Sequence, residues 1–156
     1  MTRANLGDDQ EPCLICDFVA QADPVYEDDL WFAGVLDTIP IPGWIVLGLR
    51  RHAFDPMGMS PQEADALGPL LKDITTAIQV ALGSERVYVL AWGETAQHLH
   101  FLLSSRGVEI PPEHRHAEFW FHRDEYVDAE GAQDAAERIR EVLLQETSSP
   151  TAEEVA

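Results

Sequence analysis

The 156-residue sequence has only two cysteines, Cys13 and Cys16, and only 10 lysines and arginines against 28 aspartates and glutamates. Two cysteines are too few for the disulfide framework of a small secreted domain. A formal charge of −18 repels nucleic acid and anionic lipid at long range, so neither is expected as a bulk partner. A small phosphate ligand is not excluded, because a local site can be positive inside an acidic envelope. No apolar run approaches the roughly 20 residues that a membrane span needs. The first residues, MTRANLGDDQEP, lack the apolar stretch of a signal peptide. A soluble, cytoplasmic protein is the expectation.

What is present suits one compact domain. Residues 1–11 and 145–156 are polar and expected to be disordered. The domain lies between them, at 12–144. After CLIC, Asp17–Gln21 continues a short helix. Val25–Glu27 and Leu30–Leu36 read as strands across Asp28-Asp29. Trp44–Leu49, WIVLGL, is a continuous apolar run and reads as a central strand. Ser60-Pro61-Gln62-Glu63 combines a capping serine, a proline at the first helical position and a glutamate three residues on. Apolar residues at helical spacing then run to Leu82, and Gly83 stops the helix. Pro69 is a candidate kink. Arg86–Ala91 and Gln97–Leu103 are expected to pair as a hairpin across Trp92-Gly93-Glu94. Asp128–Leu144 forms a last helix with Ala132, Ala135, Ala136, Ile139, Val142 and Leu143 inward. The expected class is α+β: an antiparallel sheet with a long helix packed on it and a C-terminal helix.

Two features carry chemistry. In a strand, alternate residues share a face. Ala96, His98, His100 and Leu102 therefore point one way, and Gln97, Leu99, Phe101 and Leu103 point into the core. The C-x-x-C pair is either a redox motif or half of a zinc site. Two histidines complete a Cys2His2 set, and His98 and His52 are the candidates.

In this order, CLIC, VYEDDLWFAGVLDTIPIPGWIVLGLRRH, the SPQE helix and GETAQHLHFLLSSR resemble the histidine triad (HIT) superfamily. The likeness runs from Glu11 to Arg106, about two thirds of the chain. It implies the HIT-like fold and a homodimer. It also implies that Cys13, Cys16, His52 and His98 bind a zinc ion, which four protein ligands make closed and structural. His100 matches the nucleophile, which attacks the α-phosphorus of a nucleotide or sugar nucleotide and forms a nucleotidyl-histidine intermediate. Thr95 matches a phosphate contact, Asp37 a ribose contact, Phe32 and Leu36 a base pocket, and Arg106 the arginine that ends the motif.

The departures are as informative. Leu102 occupies the third triad seat; the related galactose-1-phosphate uridylyltransferases have glutamine there. Glu94 replaces a phosphate-contacting glutamine. Two like charges ~4 Å apart at an effective dielectric near 20 cost on the order of 4 kcal/mol. Trp44 replaces a histidine. Two alternatives follow: a HIT-fold nucleotide-binding or regulatory protein with weakened chemistry, and a HIT-fold enzyme acting on a carboxylate or amine with Glu94 as base. Beyond Arg106, His114 and His116 are either extra phosphate donors, ligands of a second metal, or an exposed cluster. Phe119, Trp120 and Phe121 read as a late strand or a dimer contact.

Overall fold

A computed structural model of the protein describes residues 12–147. The stretches 1–11 and 148–156 lie outside the described residues. Strand β1 (Pro24–Glu27) turns into β2 (Trp31–Gly34). Asp28 makes that turn: its carboxylate accepts from the backbone N–H of Leu30 at 2.7 Å and of Trp31 at 2.6 Å, and from the Tyr26 hydroxyl at 2.6 Å. A short aspartate side chain bonding to backbone two and three residues on is a turn-forming device. Strand β3 (Trp44–Leu49) is buried at all six positions, as a continuous apolar run requires. Strands β4 (Arg86–Leu90) and β5 (His100–Arg106) pair with each other, and β5 also pairs with β3. The sheet order is β1-β2-β3-β5-β4, antiparallel throughout.

Helix α1 (Leu14–Gln21) and helix α2 (Pro61–Leu82) lie on opposite faces of this sheet. The expected capping box starts α2: the Ser60 hydroxyl accepts from Glu63 N–H and the Glu63 carboxylate accepts from Ser60 N–H. Pro69 lies inside α2, which runs on as one helix to Gly83; this glycine adopts φ 65°, a left-handed stop that favours glycine. A four-residue helix, α3 (Glu118–Phe121), precedes α4 (Ala129–Thr147). Asp128 caps α4 by accepting from Gly131 N–H at 3.0 Å. The last helix therefore includes 145–147, which the sequence reading assigned to a tail.

The main core lies between the sheet and the pair α2 and α4. Ile74, Ile78 and Ile139 meet Leu47, Leu49 and Leu103 there, each essentially inaccessible. Burial of one such side chain contributes about 1.5–3 kcal/mol. The opposite face carries two smaller clusters: Ile15 and Phe18 of α1 on Phe32 and Val46, and Phe119 with Ile41 and Ile110 on Trp44. The aromatic run 119–121 is thus part of a short helix rather than a strand: Phe119 and Trp120 pack on Trp44 of β3, and Phe121 is exposed. No helix among the described residues is long and apolar enough to cross a membrane.

One boundary matters for function. The expected strand Gln97–Leu103 begins only at His100 and runs on to Arg106. The alternation nevertheless holds. Leu99, Phe101 and Leu103 face the helices, while Leu102 faces Val46 and α1. Residues 96–99 stay out of the ladder because their hydrogen bonds go elsewhere. Leu99 N–H donates to Ala53 O at 2.6 Å, and Leu49 N–H donates to Leu99 O at 3.2 Å. This draws the His52 loop against the segment that carries His98.

Candidate metal cluster and active-site cleft

The start of α1 and two loops converge on one point. Cys13 is the N-cap of α1, its sulfur accepting from Cys16 N–H at 3.4 Å. One helical turn thereby brings both thiols to the same end of the helix. Close approach of α1 to the sheet depends on Gly48: a Cβ there meets Ile15 Cγ2 at 3.0 Å, tighter than ordinary contact. His52 follows β3, and its neighbour Arg51 is clamped to α2. The Arg51 guanidinium donates to both oxygens of the buried Glu63, at 2.7 and 2.6 Å. That pairing holds the Glu63 carboxyl down to about 2.

His98 is fully buried. Its Nδ1 lies 3.4 Å from the sulfurs of both Cys13 and Cys16, and His52 Nδ1 lies 3.4 Å from Cys16 Sγ. All four donor atoms fall within 4.8 Å of one another. In a tetrahedral zinc site with Zn–S ≈ 2.3 Å and Zn–N ≈ 2.0–2.1 Å, a sulfur–nitrogen edge is ~3.5 Å. The contacts have the length of such edges. The other nitrogen of His98, Nε2, lies 2.7 Å from Leu49 O. A carbonyl only accepts, so Nε2 carries the proton and Nδ1 offers its lone pair to the thiols. Metal-ligating histidines are fixed in this way by an outer partner. Burial, with His52 and His100 nearby, keeps His98 below the ordinary imidazole range and therefore neutral. Burial and the Cys13 thiol push the Cys16 thiol up to about 11. Donor set, tautomer and spacing all fit a tetrahedral metal site.

Beside this cluster a cleft of about 500 Å³ opens on the face of the sheet opposite α2. His100 and Leu102 of β5 form its floor with Trp44 and Val46 of β3. His100 Nδ1 lies 2.6 Å from His98 O. Again the carbonyl assigns a proton to Nδ1, so the neutral tautomer carries its lone pair on Nε2. Glu94, Thr95 and Leu36 line the cleft. Glu94 and Thr95 stand on an exposed turn after Gly93, whose φ of 67° favours glycine. Leu102 packs among Val46 and its neighbours and has no donor to offer.

Other expected contacts lie elsewhere. Asp37 is exposed in the turn between Leu36 and Thr38; both neighbours line the cleft, and Asp37 stands at its rim. Phe32 is 2% exposed and edge-on to Phe18 at 5.2 Å, part of the core beneath α1 rather than a cleft wall. Arg106 is at the far end of β5, six residues from His100 and so about 20 Å away at strand rise. It is buried against the Glu85 carboxylate, with which it forms an ion pair.

Residues from the segment after β5 complete the cleft. Trp120 stacks on Trp44, centroids 6.1 Å apart and planes 9° apart, and meets Trp92 edge-on at 4.9 Å. The Arg123 guanidinium sits over the Trp120 ring at 4.6 Å and donates to Trp120 O at 2.9 Å. Among the described residues lining the cleft, Arg123 is the one lysine or arginine. The aromatic run and its neighbouring arginine were visible in FWFHR, but nothing in the spacing said that they return to His100. The pairing of His114 with His116 is also redrawn. His116 has φ 62° and its N–H bonds the Tyr88 hydroxyl, while His114 stacks on His122.

No protein-family model matches the sequence, and no curated protein matches it. Solved structures do. A zinc-bound histidine triad family protein from Mycobacterium smegmatis superposes with a TM-score of 0.66 at 18% identity, over 87% of this chain and 96% of that one. A hypothetical histidine triad nucleotide-binding protein from Sulfolobus tokodaii gives 0.67 at 19% identity, over 85% and 93%. A diadenosine triphosphate hydrolase from Plasmodium falciparum gives 0.61 at 12% identity, over 80% and 78%. At these identities the likeness speaks for architecture: this chain has the fold of the histidine triad proteins.

Proposed function

We propose that the protein is a nucleotide hydrolase or nucleotidyltransferase acting at an α-phosphate through His100. The observation that carries this reading is the His98 O to His100 Nδ1 contact of 2.6 Å. It sets the tautomer and leaves Nε2 as the nucleophile in the cleft that His100 lines. Neutral imidazole attacks well near pH 7. Nε2 forms a bond to the α-phosphorus and the bond to the leaving oxygen breaks. The imidazolium charge is stabilised by the Nδ1–H donated to His98 O. Leu102 supplies no proton, so the leaving oxygen takes one from solvent. Water or another acceptor hydroxyl then attacks phosphorus and releases its proton to solvent, the P–N bond breaks, and the lone pair returns to Nε2.

In this reading Thr95 donates to a phosphoryl oxygen, and Leu36, with Asp37 at the rim, receives base and ribose. Arg123 supplies the positive charge that Glu94 opposes. Cys13, Cys16, His52 and His98 hold a zinc ion in this reading. With four protein ligands it has no open position, so its contribution is a cross-link between α1 and the segment before β5. The zinc-bound neighbour of similar fold and the tetrahedral edges in this chain support it.

A second reading is favoured by Leu102 and Glu94. Without a third donor and with a carboxylate in the cleft, the fold serves as a nucleotide-binding or regulatory protein. One experiment separates the two. The purified protein is incubated with adenosine phosphoramidate or a dinucleoside polyphosphate and its intact mass is measured. A nucleotidyl adduct or turnover in wild type that is lost in His100→Ala is expected. Identical behaviour of the two proteins, with neither adduct nor turnover, overturns the first reading.

A further inference from the structure

The cleft wall contributed by Trp120 and Arg123 has a second set of donors close to it. His114 ends a short turn of helix at Pro112–His114, His122 follows α3, and Glu125 lies in the turn Arg123–Tyr126. One ring nitrogen of each histidine and one carboxylate oxygen of Glu125 lie within 4.8 Å of one another. The two imidazoles are stacked face to face, 3.7 Å between centroids and 11° between planes. His122 Nδ1 lies 2.7 Å from the Glu125 carboxylate, and His114 Nδ1 lies 2.5 Å from the Tyr126 hydroxyl. His114 is thus held from outside the cluster by Tyr126, as metal-bound histidines commonly are, while His122 is held by Glu125, itself one of the three donors.

We propose that His114, His122 and Glu125 form a second divalent-cation site, distinct from the Cys2His2 cluster. Two imidazoles and a carboxylate suit zinc or a neighbouring first-row ion rather than calcium or magnesium, which prefer oxygen alone. Three protein ligands leave at least one position to water. On binding, the His122 ring takes the tautomer with its proton on Nε2, and the cation replaces that proton between Nδ1 and the Glu125 carboxylate. The parallel rings must rotate to aim both lone pairs at one point. Both are partly exposed and Glu125 is exposed, so this motion leaves the core untouched. The ion joins residue 114 to residues 122–125 across α3, the element that carries Trp120. It therefore braces the wall of the cleft that packs on Trp44. An acidic chain draws cations diffusely, but diffuse attraction does not select imidazole.

Cobalt titration of the full-length protein tests the site without reference to catalysis. The Cys2His2 cluster gives thiolate-to-cobalt charge-transfer absorption; a nitrogen and oxygen site gives only weak d–d bands. Wild type is expected to bind one further equivalent of Co2+ that adds no charge-transfer intensity. His114→Asn/His122→Asn is expected to lose that equivalent alone. Glu125→Gln, a change at an exposed side chain that leaves folding intact, is expected to weaken it at least tenfold. Equal stoichiometry and affinity in wild type and both variants overturns the proposal, because the remaining acidic surface then accounts for all the extra binding.

Discussion

The Cys2His2 cluster and the wall around Trp120 flank the same cleft but are held by different physics. The cluster draws donors from three separated segments to within 4.8 Å. Its parts are fixed by directional bonds: the Leu49 carbonyl on His98, the Glu63 carboxylate on Arg51 beside His52, and the Cys13 cap of α1. The wall has hydrogen bonds within itself and one to the sheet, from His116 N–H to the Tyr88 hydroxyl, but its seat is mainly aromatic. Residues 112–126 form three short helical turns, packed on the sheet by Phe119 and Trp120 against Trp44, with Arg123 covering Trp120. Directional bonds fix a geometry that chemistry needs; aromatic packing shapes a surface and tolerates adjustment.

That contrast can be broken at either end. The largest effect is expected from the cluster. Chelation of a metal-loaded preparation, or Cys16→Ser, should lower the melting temperature by on the order of 10 °C, since bound metal contributes folding free energy. Calorimetry of loaded and stripped protein checks it, and matching transitions show that the four residues hold no stabilising ion. At the wall, Arg123→Gln should raise the KM or Kd for an anionic substrate about tenfold or more, because one charge-assisted hydrogen bond is worth roughly 1.5–3 kcal/mol. Its melting temperature should stay within about 3 °C of wild type. An unchanged KM places the phosphate away from Arg123. The smallest effect concerns acid. Arg51 holds Glu63 at about 2, below its ordinary value of 4.5. The ion pair therefore contributes stability fully above pH 4.5 and loses it as pH falls from there toward 2. Glu63→Gln should flatten that part of the curve of melting temperature against pH. A variant with the same acid limb as wild type puts the acid sensitivity in other carboxylates.

How much was legible from sequence follows the same division. The four candidate ligands were named from CLIC and from the resemblance to the histidine triad superfamily, and the fold brings those four donors within 4.8 Å of one another. WIVLGL, the Ser60 capping box and the inward face of α4 were readable because periodicity and capping are local. The start of β5 was not: Gln97–Leu99 alternate like a strand, but His98 N–H turns back to Ala96 O and Leu99 N–H goes to Ala53 in the His52 loop, and no local pattern records that. Arg106 was placed near substrate by motif position, and strand rise puts it at the far end of β5. Phe32 was a plausible wall by composition, but α1 covers it. The Trp120–Arg123 wall depends on the chain folding back after Arg106 onto β3, a long-range event with no signature in FWFHR itself.

The crowding of indoles has an optical consequence. Of the four tryptophans in the chain, Trp44, Trp92 and Trp120 line the cleft. The fourth, Trp31, is wholly enclosed on the other side of the sheet among the residues that face α2 and α4. Intrinsic fluorescence is therefore divided between a responsive group and a buried internal reference. Anything that enters beside His100 changes the surroundings of three emitters and leaves the fourth as it was, so occupancy can be followed without attaching a dye.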